Sequence, residues 1–207
     1  MNLLPEMMEA SCEGNISWFE NRQEKLKELI TNTKPENLIE IGFNIGHSAL
    51  IICSLIADLK KQDSNYQNKR VDFFVFDICV CAATKHNVEV LKIKFGEYVN
   101  LHLIEGSSLE KVPTFLKNNP TLFDFIEIDG CHTYDCVRQD VFNTINSLSN
   151  KGFIYIDDYK SQVFPITEVD NGVDSIDWNG YETNFVDGVF WVKKQSSEKE
   201  MVNHPQH

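Results

Sequence analysis

Residues 123–159 read FDFIEIDGCHTYDCVRQDVFNTINSLSNKGFIYIDDY. Two apolar runs, 123–128 and 152–156, each stop abruptly in acid, the first at Asp129 and the second at Asp157 and Asp158. Runs of this length without polar alternation suit strands buried on both faces, as in a parallel sheet covered by helices. The segment between them has helical spacing. Strand, helix, strand is a right-handed crossover, and it brings both acidic ends out at one carboxyl edge. Neighbouring strands lie about 4.8 Å apart. Three carboxylates gathered at that spacing repel one another unless a cation or a proton lies between them.

The chain before this stretch repeats the same unit. Residues 38–41 form a short buried strand, followed by Gly42-Phe-Asn44-Ile-Gly46-His47-Ser48 and an apolar helix from Ala49 to about Leu59. A polar connection over 60–70 leads to a strand at 71–78 that carries Asp77 near its end. A helix over 82–95, with Val88, Leu91 and Phe95 on one face, precedes a strand at 99–104. Ser107 and Glu110 then predict a capped helix that ends near 118–120. After Tyr159, Pro165 opens a short helix, Trp178, Tyr181 and Phe185 lie beyond it, and 188–194 reads as a closing strand. Upstream, Ser17 and Glu20 form a capping box. Trp18, Phe19, Leu26, Leu29 and Ile30 make the stripe of a helix that ends before Pro35.

The expected fold is therefore α/β: a doubly wound, Rossmann-like, mostly parallel sheet with helices on both faces and an antiparallel C-terminal strand. The expected organisation is an arm over 1–14, a single domain over 15–194 and a polar tail over 195–207. Glu40, Asp77, Ser107, Asp129, Asp157 and Asp158 all fall at or just after a strand's carboxyl end, where such folds bind ligands.

Composition narrows the partners. A net charge of −12 with no basic patch disfavours nucleic acid and anionic membrane surfaces. No apolar run approaches the roughly 20 residues of a bilayer span, and the N-terminus has no secretory pattern. The six cysteines, Cys12, Cys53, Cys79, Cys81, Cys131 and Cys136, form no CxxC pair. They read as reduced thiols of a cytoplasmic protein, and a zinc site from the last four is the minor alternative. A homodimer is left open.

The turn after the first strand frees backbone N–H groups for a ligand, but Asn44 stands where a dinucleotide-binding GxGxxG has its middle glycine. That spacing, and the lack of a Tyr-x-x-x-Lys pair, weakens a nicotinamide oxidoreductase.

Three motifs occur in order: Glu40-Ile-Gly42-x-x-x-Gly46-x-Ser48-Ala-Leu, Asp129-Gly-x-His132-x-Tyr134-x-x-Val-x-x-Asp140, and Gly152-x-x-x-x-Asp157-Asp158-Tyr159. Over 38–192 the chain resembles the class I S-adenosylmethionine-dependent methyltransferases, in particular small-molecule O-methyltransferases of the macrocin and caffeoyl-CoA type. The resemblance implies that Glu40, Gly42, Asn44, Gly46 and Ser48 hold the methionine part of S-adenosylmethionine. It implies that Asp77 takes the ribose, that Ser107 borders the adenine, and that Asp129 faces both cofactor and acceptor. Asp129, Asp157 and Asp158 match the positions that hold a divalent cation, Mg²⁺ or another, in metal-dependent members. His132 is then the expected proton acceptor or orienter of a small hydroxylated substrate, a sugar or a phenol, with helix capping as its alternative role. The chain departs from the pattern at Cys131, where many relatives carry an acid, and at Ser107, which replaces the adenine-side acid. The rival reading is an inactive cofactor-binding or interaction protein on the same fold.

Overall fold

The computed structural model describes residues 4–8, 20–163, 165–186 and 188–195. Strands β1 (Asn37–Ile41), β2 (Asp72–Asp77), β3 (Asn100–Glu105), β4 (Phe123–Ile128) and β5 (Leu148–Tyr159) run parallel. Strand β7 (Gly188–Lys194) pairs antiparallel with β5, and β6 (Tyr181–Val186) pairs antiparallel with β7. The order across the sheet is β3-β2-β1-β4-β5-β7-β6. The direction of winding reverses between β1 and β4, which opens a crevice at their carboxyl ends.

Alternate residues of each central strand face opposite layers, and both layers are covered, so the strands are largely apolar on both faces. Leu38, Phe73 and Phe125 pack with helices α1 (Glu20–Thr33), α2 (His47–Gln62) and α4 (Ala82–Phe95). Ile39, Ile126 and Ile154 pack with α5 (Ser108–Asn118), α6 (Tyr134–Thr144) and α7 (Thr167–Asp174) on the other face.

The expected doubly wound fold is the observed one, with local differences. The 60–70 connection is partly helical: α2 runs on to Gln62 and a short α3 (Ser64–Gln67) follows, capped by the Asp63 side chain and anchored by buried Tyr66. β5 starts at Leu148, before the glycine expected near its beginning. Ser107 does precede α5, but its side chain makes no capping bond. Strand β6 is absent from the sequence reading because it is an edge strand whose four central residues are exposed, so it carries no buried stripe. The expected cap at Ser17, the aromatics Trp18 and Phe19, and the tail beyond residue 195 lie outside the described residues.

One row across the sheet is polar. Register pairs Glu40 with Glu127 and Glu127 with Tyr155, and all three are fully buried beneath α1 and α2. Glu40 Oε2, Glu127 Oε2 and the Tyr155 hydroxyl have no hydrogen-bond partner among the described residues. Burial, reinforced by the charges of Asp129 and Asp77, pushes the Glu40 carboxyl up to about 8, and the Ser48 hydroxyl bond opposes this. Folded Glu40 therefore keeps a proton that the unfolded chain releases above about 4.5. The native state binds the extra proton, so stability falls as pH rises between those two values. Glu40→Gln should flatten this slope. Its melting temperature should exceed that of the parent protein at pH 8 and match it near pH 4.5, as read by calorimetric scans.

The β1–α2 turn is locked to the ends of β2 and β4. Gly42 N–H donates to the Phe76 carbonyl at 2.8 Å, and Asp129 N–H donates to the Ile41 carbonyl at 2.8 Å. Gly42 has φ +98°, and a Cβ there would stand 1.9 Å from the Asp129 carbonyl oxygen. Gly42→Ala combines a left-handed backbone with a clash, and should lower stability by about 2–5 kcal/mol in urea titrations.

Candidate active site

A cavity of about 1060 Å³ runs along the carboxyl edge of the sheet. One end is walled by Gly42, Asn44 and Ser48 of the β1–α2 turn, and by Asp77 at the end of β2. Asn44 takes the left-handed conformation (φ 51°), which its short polar side chain tolerates. Asp77 Oδ2 accepts the Asn44 N–H and Oδ1 accepts the Cys79 N–H, each at 2.6 Å. The carboxylate thus ties two loops together while each oxygen keeps a lone pair for a ligand. Ser107 and Gly106 line the next section, after β3.

Two of the expected cofactor residues stay behind the wall. Glu40 is completely buried and is not part of the cavity surface; Ser48, whose hydroxyl donates to Glu40 Oε1, lies between them. Gly46 is set by packing, because a Cβ there would sit 2.6 Å from the Phe43 ring. Its φ of +86° also suits only glycine.

At the other end stand Asp129, His132, Asp157 and Asp158, with Arg22 of α1. Adjacent strand residues ordinarily point to opposite faces. Here β5 is bulged against β7 between Asp157 and Tyr159, and Asp158 adopts φ 62°. The bulge re-aims the chain so that both neighbouring carboxylates meet one partner. That partner is Arg22. Its Nη1 donates to Asp157 Oδ1 and Oδ2 at 3.0 Å each and to Asp158 Oδ1 at 2.9 Å. Nη2 donates to Ser161 Oγ at 2.9 Å. Burial alone would weaken the guanidinium's charge, but Asp157 and Asp158 more than restore it. Burial drives the Asp157 carboxyl well above its ordinary range, helped by Asp129 and opposed by Arg22.

His132 follows β4. Its Nε2 lies 3.3 Å from Asp129 Oδ1 and 3.6 Å from Asp158 Oδ2. The hydrogen bond to Asp129, backed by the charges of Asp129, Asp158 and Asp157, raises the imidazole to about 9 against the effect of burial. It is a cation at neutral pH. The helix-capping role belongs instead to Thr133, whose side chain accepts the Cys136 N–H at 3.4 Å.

The three acids expected to hold a divalent cation are brought to one rim, but as arranged they do not fit one. Asp157 and one oxygen of Asp158 are already engaged by Arg22. Among the described residues, the groups close enough to share an ion are Asp129, His132 and Asp158, a different set that excludes Asp157. Cys79, Cys81, Cys131 and Cys136 are not brought together as a metal site.

Sequence reasoning missed Arg22 and Glu127. Glu127 left a mark, since it is one of two acids, with Asp124, inside the otherwise apolar run of β4. Arg22 left none, because it sits in a helix rich in exposed charge.

A sequence profile described as a methyltransferase domain matches residues 39–159, from β1 to the end of β5 and more than half of the chain. No curated protein sequence matches. Among solved structures, CalS11, a TDP-rhamnose 3'-O-methyltransferase of calicheamicin biosynthesis, superposes with a TM-score of 0.67 at 16% identity, over 84% of this chain and 78% of that one. The SAH-bound Podospora anserina methyltransferase PaMTH1 gives 0.58 at 16% identity, over 87% and 84%. An O-methyltransferase from Bacillus cereus in complex with SAH gives 0.59 at 13% identity, over 84% and 80%. At such identities these likenesses speak for the fold, while the profile match carries the family. On that match the chain belongs to the methyltransferase family.

Proposed function

We propose that this protein transfers a methyl group from S-adenosylmethionine to a hydroxyl of a small molecule. The observation that carries this reading is the single cavity joining Asp77 and Ser107 to the Asp129–His132 pair. Asp77 offers free lone pairs for ribose hydroxyls, and Ser107 offers a hydroxyl that α5 does not use. Ser48 reaches the cavity wall where the methionine end would lie, with buried Glu40 behind it. The relatives named for O-methyl transfer support the same chemistry. Leu109, Val163 and Ile166 supply apolar wall for the acceptor's body. No helix among the described residues is long and apolar enough to cross a membrane.

When bound, S-adenosylmethionine supplies a sulfonium methyl, whose C–S bond breaks as the acceptor O–C bond forms and the electron pair returns to sulfur. The residues here act on the acceptor. Asp129 orients His132, and His132 in its neutral form takes the hydroxyl proton as the oxygen attacks. Because the imidazole is raised to about 9, the neutral form is scarce at pH 7 and grows about tenfold per pH unit.

Three measurements follow. S-adenosylhomocysteine should bind in calorimetry while NADH does not, and Asp77→Ala should weaken that binding by about 10–100-fold. With a panel of phenols and sugars as acceptors, kcat/KM should climb from pH 7 towards about 9. His132→Ala should lose about 10²–10⁴-fold and show no climb. Cofactor binding without transfer to any acceptor would favour the inactive-protein reading.

A further inference from the structure

Arg22 has a place made for it. Its side chain is only 3% exposed, although it belongs to a helix whose polar residues mostly face water. Two acids meet one of its nitrogens and a serine hydroxyl accepts from the other. The β7 backbone leaves room above the guanidinium: a Cβ on Gly188 would sit 2.3 Å from Arg22 Nε and Nη2. Gly188, the bulge at Asp158 and Ser161 are separate devices that converge on one group. A long cationic side chain buried so completely needs such provision, because an unpaired charge there is strongly unfavourable.

We infer that Arg22 is the resident cation of this acidic rim, standing where a divalent ion would otherwise bind, so that methyl transfer here needs no metal. The inference rests on the methyltransferase reading above and concerns how that site is charged. One guanidinium on two neighbouring carboxylates gives the charge compensation and fixed geometry an ion would give. It differs in one respect: a guanidinium offers only hydrogen-bond donors, with Nη1 committed to Asp157 and Asp158 and Nη2 to Ser161, so it is not a centre that chelates two neighbouring hydroxyls of an acceptor. Recognition then falls to the apolar wall and the Asp129–His132 pair, and an acceptor with a single hydroxyl suffices. Arg22 is a positioning residue, since it acts by holding Asp157 and Asp158.

The test uses Mn²⁺ as a spectroscopic probe on the full chain. Parent protein at about 0.1 mM Mn²⁺, the weak end of ordinary divalent sites, should leave the EPR signal of the free ion unchanged. Arg22→Ala should bind Mn²⁺ at the vacated acids, and Arg22→Lys should not. The Ala variant should melt roughly 10 °C lower without metal and regain part of the loss when Mn²⁺ is added. Arg22→Gln provides the same comparison if the Ala variant does not fold. Transfer by the parent protein should be unchanged in EDTA. Stoichiometric Mn²⁺ binding by the parent protein that disappears in Asp158→Asn would overturn the inference, as would transfer abolished by EDTA and restored by Mg²⁺. Calorimetry with S-adenosylhomocysteine on the same samples separates the two levels: its failure would sink the methyltransferase reading and leave the Mn²⁺ result readable.

Discussion

Carboxylates gathered at the end of a parallel sheet must be neutralised, and the way this protein does so organises its active end. Asp129 and Asp157 leave neighbouring strands at the same edge, and Asp158 is turned in beside them by a bulge. The protein answers with two cations of its own, the Arg22 guanidinium on Asp157 and Asp158 and the His132 imidazole between Asp129 and Asp158. Charge-assisted bonds of this kind are the strong ones inside a protein, and in a poorly solvated site each loss is costly. The position of α1, the conformation of Asp158 and the glycine at the start of β7 are all intelligible as parts of that neutralisation.

Much of this was legible in advance, and the limits of legibility have physical reasons. The parallel core could be read because β1, β2, β4 and the second half of β5 are largely buried on both faces and so are rich in apolar residues without regular polar alternation. The helix over 82–95 matched at both ends. That a cation or a proton must lie among the three acids followed from strand spacing alone. The supplier of that charge did not, because nothing local distinguishes Arg22 from its charged neighbours and its partners lie 135 and 136 positions away. Strand β6 escaped for the opposite reason, since an exposed edge has no buried periodicity to betray it.

The glycines of the β1–α2 turn carry a related lesson. By sequence they suggest a cradle for a ligand, and the turn does line the cavity. In the structure each is first required by the protein itself, Gly42 by the Asp129 carbonyl and Gly46 by the Phe43 ring. Glu40 likewise supports the wall from behind through Ser48. A binding surface and the packing beneath it have drawn on the same residues, and sequence pattern alone does not separate the two.

The bond between Arg22 and Asp157 ties the first described helix to the fifth strand and closes a loop of most of the chain. Contacts of such long range form only after the intervening elements have come together, so during synthesis α1 must wait for β5 to arrive. The acidic rim is therefore complete only once β5 has joined the sheet and α1 has docked on it. A chain whose first described helix has yet to dock keeps the local Asp129–His132 pair but leaves Asp157 and Asp158 without their guanidinium, so the charge balance of the rim belongs to the assembled fold.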